Sequence, residues 1–270
     1  MAKRRRSRKK QLSLPAVLIV IIAAAIGLLA RDPSNYQTQN SNSSSTNSSA
    51  LTSSQVAQEA PTADGQTQTD ANSSQSKLAE LTFDQQQIIA VNNNKPTFSA
   101  SDLSFSRGSW DRYSDLDSLN RVGVADAMLG RDIMPTADRE RLYIEPTGWQ
   151  NRKITINGHS DYLYNRCHLI GYQLTGQNNN AKNLMTGTRS LNDPGMTYYE
   201  NTVAQYLKQT THHVRYQVRP IFRGDELVAR GIQMMAQSVE DDKISFNVYI
   251  FNIQTNYVID YQTGNSSNAK

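Results

Sequence analysis

Between Ser34 and Ser76 the chain is built mainly from Ser, Thr, Asn, Gln and Ala, with Tyr36 as its one aromatic residue. Such a stretch cannot bury enough apolar surface to offset the entropy of ordering its backbone, so it predicts a disordered spacer. That spacer confines the fold to the residues beyond it. The expected organisation is a basic tail over residues 1–11, an apolar segment over 12–30, a linker over 31–80, a folded domain over 81–262 and a flexible tail over 263–270. A domain of about 190 residues is long enough for one substantial core.

The N-terminal segments predict a location. Residues 1–11 hold seven basic side chains and no acid, and Leu12 to Ala30 is a nineteen-residue run without a charge, interrupted only by Ser13 and Pro15. That length spans a bilayer as a helix, and Pro15 falls in its first turn, where it costs little. A basic flank before the run predicts an internal N-terminus and a domain outside the cell, as a single-pass membrane protein. A cleaved secretory signal, giving a secreted protein, is the competing reading. Its apolar core is usually shorter, and Leu28 and Ala30 make a poor small-residue cleavage pattern.

The formal charge of +4 is no evidence for a nucleic-acid partner. Residues 1–31 hold 8 of the 28 basic residues and none of the 24 acids, which leaves 20 − 24 = −4 for residues 32–270. From Leu81 onward there are 19 basic and 19 acidic residues. Any contact with nucleic acid must then come from a local cluster rather than the overall field. The single cysteine, Cys167, excludes an intrachain disulfide and a cysteine-based structural zinc site.

Within the domain, patterning predicts a short helix near Val122 to Leu129 and a strand over Tyr162 to Ile170. That strand's alternation puts Tyr164, Arg166 and His168 on one face, with Asn165, Cys167 and Leu169 on the other. A helix is predicted from Thr197 to about Gln209, with Met196, Tyr199, Val203, Tyr206 and Leu207 forming its apolar stripe. Antiparallel strands are predicted over His213–Phe222, Leu227–Val239 and Ile244–Ile253, with Gly224-Asp225 turning between the first two. Together these predict a mixed α+β domain.

Four histidines are available, His159, His168, His212 and His213. The segment Asn165-Arg166-Cys167-His168-Leu169-Ile170-Gly171 is the most informative. With Lys182-Asn183-Leu184, the run Thr186 to Asn192, and Tyr198-Tyr199-Glu200, it resembles the DNA/RNA non-specific endonucleases, members of the ββα-metal (His-Me finger) nucleases. The streptococcal-type surface and competence DNases are the most similar branch, and the resemblance covers roughly residues 100 to 255. It implies a ββα-metal fold with a central antiparallel sheet flanked by helices and loops. It also implies cleavage of DNA, and of RNA in many members, with Mg²⁺ or Mn²⁺ as the metal and no obligate protein partner.

The resemblance further implies roles for single residues. His168 matches the general base toward water, Asn192 the asparagine that binds the metal, and Glu200 the helix acid that holds the metal through water. Asn183 matches a supporting asparagine, Arg166 the motif arginine, and Arg189 a phosphate-binding arginine. The family's usual motif is Asp-Arg-Gly-His, so Asn165 and Cys167 depart from it. Loss of the acid removes a charge that would raise the basicity of a nearby imidazole.

The chemistry needs these residue types. Phosphodiester hydrolysis requires a deprotonated nucleophile and neutralisation of charge on the phosphorus oxygens and the leaving oxygen. A histidine that titrates near neutrality can take the proton, oxygen ligands suit hydrated Mg²⁺, and a guanidinium fork grips phosphate.

Plainer readings stand beside these. Thr197 to Glu200 also fits a capping box. Arg215, Gln217 and Arg219 alternate on one strand face, which is either a solvated face or a DNA-contact strip. His159, His212 and His213 read as turn or helix-end residues, and Trp110 and Trp149 as packing. The motif departures also admit a catalytically impaired module that binds nucleic acid, and the spacer admits a structural surface protein that contacts other molecules.

Overall fold

A computed structural model describes residues 75–270. Its main sheet forms where the sequence offers long apolar alternation. Strands β8 (Val214–Ile221), β9 (Gly231–Ser238) and β10 (Ser245–Phe251) run antiparallel, with Val218 opposite Met234 and Phe246 opposite Ala236. Three shorter strands complete the sheet: β1 (Ile88–Ala90), β2 (Trp110–Tyr113) and β3 (Ala125–Leu129). The six-stranded order is β1-β10-β9-β8-β3-β2.

One face of this sheet carries Ala125, Ala127, Leu129, Val214, Tyr216 and Val218 into the principal core. There it meets α3 (Thr197–Gln209) through the buried Val203, Ala204 and Leu207. Cys167, Leu169 and Met185 enter the same core from a two-stranded hairpin, β6 (Tyr164–His168) paired with β7 (Leu184–Thr188). A short helix α2 (Tyr172–Thr175) follows β6. The hairpin and α3 stand against one sheet face, and this positions the site. A smaller cluster gathers Ile154, Leu163, Tyr164 and Ile259 around the β4 (Lys153–Ile156) and β5 (His159–Tyr162) hairpin.

The structure is the α+β architecture expected, with four local differences. The helix expected near Val122 to Leu129 is instead β3. All five of its residues are buried between β2 and β8, and a strand covered on both faces loses the period-two signal that would identify it. The strand expected over Tyr162 to Ile170 divides at Leu163, a fully buried pivot whose amide donates to Arg152 and whose carbonyl accepts from Arg189. Leu227 to Arg230 lies outside β9, because the Val228 amide bonds to the Tyr261 carbonyl and Arg230 pairs with Glu226. The tail expected to be flexible over 263–270 contains β12 (Ser266–Asn268), paired with β11 (Tyr257–Ile259), and the Gly264 carbonyl accepts from the Tyr164 hydroxyl at 2.9 Å.

At the other end, residues 75–80 form a helix, α1, inside the range expected for the linker. Leu78 and Ala79 pack with Ile221, Tyr249 and Phe251, and Arg223 donates to the Ala79 carbonyl through Nε at 2.9 Å and Nη2 at 2.5 Å. The remainder of that linker and the basic tail lie outside the described residues.

The membrane assignment is corrected. The anchor expected at residues 12–30 lies outside the described residues, and no helix among those residues is long and apolar enough to cross a membrane. The described residues supply no spanning element, and the membrane partner, the single-pass topology and the extracellular placement built on it are withdrawn.

Candidate active site

The end of β6 meets the start of α3 in a cleft of about 250 Å³ lined by Arg139, His168, Gly171, Tyr172, Gln173, Asn192, Thr197 and Glu200. His168 is the last residue of β6 and is buried. Its Nε2 lies 2.8 Å from the Asn178 carbonyl oxygen, which can only accept, so Nε2 carries the proton and donates. In the neutral ring this leaves the Nδ1 lone pair free. Burial pushes the imidazole pKa below its ordinary value, with the Asn178 and Gln177 backbone carbonyls opposing the depression and Arg139 adding to it. His168 is therefore a neutral imidazole of fixed tautomer at pH 7.

Glu200 lies in the first turn of α3 and is buried. Burial raises its carboxyl pKa to about 7, while the Gly171 amide and the Arg139 charge oppose the rise. The approach to Gly171 is close: a Cβ there would sit 2.7 Å from Oε2 and 2.8 Å from Oε1. A side chain at this position would displace the Glu200 carboxyl, so the glycine keeps the backbone after His168 close to it. The capping-box alternative does not form. Helix α3 continues from a π-type turn, Leu191–Met196, and the Thr197 amide already bonds to the Asn192 and Pro194 carbonyls.

That turn carries Asn192 into the cleft. The Asp193-Pro194 peptide within it is cis. The Asn192 side chain makes no hydrogen bond among the described residues, so its amide oxygen is unclaimed. Arg189 does not line the cleft; it braces the turn, with Nη1 2.7 Å from the Asp193 carbonyl and 2.9 Å from its carboxylate, and Nε 3.1 Å from Asp161. Thr197 donates to Asp193 Oδ1 at 2.8 Å and completes the brace.

Asn183 is fully buried and also outside the cleft lining. Its Oδ1 accepts from the Ile170 amide at 2.9 Å, its Nδ2 donates to the Ile170 carbonyl at 3.0 Å, and its own carbonyl accepts from Leu169. It clamps the two residues between His168 and Gly171. Arg166 points elsewhere: Nε donates to the Ile144 carbonyl at 2.6 Å, Nη2 lies 3.6 Å from Glu145, and the guanidinium covers the Trp149 ring at 4.6 Å. Trp149 packs as expected. Asn165 and Cys167 lie on the face of β6 opposite His168, and Cys167 fits because Gly187 leaves it room. Neither departure from the motif lines the cleft.

Arg139 is the cleft residue that sequence reasoning missed. It makes no hydrogen bond or ion pair among the described residues, so its fork is available to a phosphate. It sits in an irregular segment without periodicity, and nothing local marks it. Three residues hold the segment: Tyr172 donates to the Ala137 carbonyl at 2.7 Å, Asn178 Oδ1 accepts from Glu140 at 3.1 Å, and Asn179 bonds to Tyr143 and Arg141. The asparagine run after α2 thus both fixes His168 and ties down Arg139.

The remaining sequence candidates lie outside the cleft lining. His212 bonds to Tyr206 and Asp241, and His213 bonds to Glu240 and stacks on Phe105. His159 is an exposed residue at the start of β5. Arg215 is buried and paired with Asp126 at 2.7 Å, so its guanidinium is not part of a solvated strip, while Gln217 and Arg219 are half-buried.

Among the described residues no group of three or more His, Cys, Asp or Glu side chains forms a metal cage. The oxygen donors in the cleft include the Asn192 amide and the Glu200 carboxyl. An unclaimed amide oxygen and a carboxylate suit a hard divalent ion that keeps much of its water.

The model of the DNA/RNA non-specific endonuclease family matches residues 103–240. NucA from Streptococcus agalactiae, solved with a magnesium ion bound, superposes with a TM-score of 0.63 at 27% identity, covering 74% of this chain and 96% of that one. Its metal-free form gives 0.62 at 27% identity over 73% and 96%. The Sda1 nuclease, solved with a bound zinc ion, gives 0.54 at 29% identity over 59% and 82%.

Proposed function

Because the chain belongs to the DNA/RNA non-specific endonuclease family, we propose that it hydrolyses phosphodiesters of DNA, and of RNA, with His168 as general base and Mg²⁺ as cofactor. The observation that carries this reading is the fixed tautomer of His168, a residue that lines the same cleft as Asn192, Glu200 and Arg139. Asn192 and Glu200 would hold the ion, in keeping with the magnesium bound by NucA. When bound, the ion supplies charge neutralisation at the phosphate and at the departing 3′ oxygen.

The chain's own residues do the rest. Nδ1 of His168 takes a proton from water, the resulting hydroxide attacks phosphorus, and the 3′ oxygen leaves with the bonding pair. A 5′-phosphate end remains. Proton transfer by a positioned histidine contributes on the order of 10²–10⁴ in rate. Arg139 grips a non-bridging phosphate oxygen, while Asn183, Arg189 and Arg166 position the backbone around the cleft rather than touch the reacting atoms. Contacts to phosphate rather than base edges favour weak sequence preference.

Nicking of supercoiled plasmid by the full-length protein, with Mg²⁺ or EDTA and beside His168→Ala, tests the reading. Mg²⁺-dependent nicking that the variant loses by at least 100-fold is the expected result. Nicking that survives in EDTA removes the metal from the scheme, and nicking that survives in the variant removes His168.

A further inference from the structure

A larger cavity, of about 890 Å³, opens at the β2 edge of the main sheet. Trp110 lies opposite Met128, and Met128 opposite Arg215, so these side chains share the sheet face that points away from α3. Arg112 shares that face one pleat further on, and Arg107 closes the cavity from the preceding loop. The volume falls in the range of sites that take a nucleotide-sized ligand.

An inventory of its polar groups gives the ligand's chemistry. The two lining carboxylates already have donors: Asp102 accepts from the Ser99 amide at 2.9 Å and its hydroxyl at 2.7 Å, and Asp111 accepts from Gln177 at 3.0 Å. Arg215 forms a rigid floor, held by Asp126 and the Ala127 and Tyr216 carbonyls between the Phe98 and Trp110 rings. Asp126 is thereby occupied, also accepting from Gln217. That leaves Arg112 with a 3.8 Å contact to Asp126 and a side chain 73% exposed. Arg107 makes no hydrogen bond or ion pair among the described residues. The cavity thus has cationic donors to spare and its carboxylates engaged, so its ligand is acceptor-rich and anionic.

One loop carries hydrogen bonds to a lining residue of this cavity and to His168. Asp111 holds Gln177, and the next residue, Asn178, supplies the carbonyl that fixes His168. We propose that this cavity is a second, non-catalytic binding site for the phosphodiester backbone of the substrate, with Arg107 and Arg112 taking its phosphates above the Arg215–Trp110 floor. The inference rests on the nuclease reading for the identity of the polyanion.

Anisotropy of a fluorescein-labelled 20-mer DNA duplex in EDTA tests it, with the full-length protein, an Arg107→Ala/Arg112→Ala double variant and a Lys153→Ala/Lys208→Ala control of equal charge change. Both arginines are exposed, and both control lysines lie away from the cavity. The expected result is about a tenfold rise in Kd for the arginine variant and a fall of about 1.8 in the slope of log affinity against log salt, two phosphate contacts at about 0.9 each. The control should change neither by as much, and kcat on a short phosphodiester should hold in all three proteins. Equal losses in the arginine variant and the control, or no loss in either, would overturn the site. Loss of affinity for inorganic phosphate alone, with duplex affinity intact, would also overturn it. A wild-type protein that binds the duplex through these arginines but does not nick with Mg²⁺ would defeat the nuclease reading and leave the site standing.

Discussion

The two nitrogens of His168 face different chemistry, and the rate should report it. Burial holds its folded pKa below the ordinary 6.5, so the neutral base persists as pH falls to that value and is lost only below it. The acid limb of the Mg²⁺-dependent pH profile for kcat/KM should have its midpoint below 6.5; a midpoint at 7 or above contradicts the assignment. Glu200 has the opposite sign in the metal-free protein. Its folded pKa, raised from 4.5 to about 7, means that the folded state keeps a proton which the unfolded chain releases. The associated stability is fully present below about 4.5 and is lost as pH rises through about 7, an effect of about 3 kcal/mol. In EDTA at pH 8, Glu200→Gln should then melt higher than the wild type, and a lower Tm would count against a buried charged carboxylate. Gly171 tests the pair together. Gly171→Ala drives a methyl into the carboxylate and should lower kcat by on the order of 100-fold with the fold retained, as circular dichroism would show.

Single elements acquire their roles from the segments that tie them. Residues 137–143 have no strand or helix of their own, and their order comes from hydrogen bonds to Tyr172, Asn178 and Asn179. Asn179→Ala removes two of these, to Tyr143 and Arg141, without touching the cleft. The expected outcome is faster hydrogen exchange at the Tyr143 amide and a raised KM with little change in kcat, because Arg139 then samples positions away from the phosphate. Unchanged exchange at that amide would show that the segment is held by something else. In α3 the apolar stripe does what its spacing predicts. Its Val203 and Leu207 are fully buried, yet the same helix also buries the Glu200 carboxyl, which no periodicity distinguishes from a capping residue.

At the scale of the whole molecule, both ends of the domain reach further than composition indicates. Helix α1 covers Ile221, Tyr249 and Phe251 on the sheet face opposite the principal core, to which it contributes the buried Leu78 and Ala79 side chains. A chain trimmed to begin at residue 81 should lose about 2 kcal/mol against one beginning at residue 75, measured by urea denaturation. Equal midpoints would show that α1 is only loosely seated. The far-face cavity bounded by Trp110 and Arg215 likewise exists only because β2, β3 and β8 come together from positions far apart in the chain.

Sequence alone determined what depends on local order. The extent of α3, the antiparallel run of β8, β9 and β10 and the turn at Gly224 are written in apolar spacing, and the motif around His168 with Asn192 and Glu200 marks the residues that share the cleft. Tertiary structure decided what depends on partners distant in the chain. It turned Val122 to Leu129 toward a strand, because burial on both sides erases the period. It took Arg166 to the Ile144 carbonyl and Trp149, and brought Arg139 into the cleft instead. A guanidinium has no local preference strong enough to fix its destination; the acceptors and charges that a completed fold places around it decide where it points.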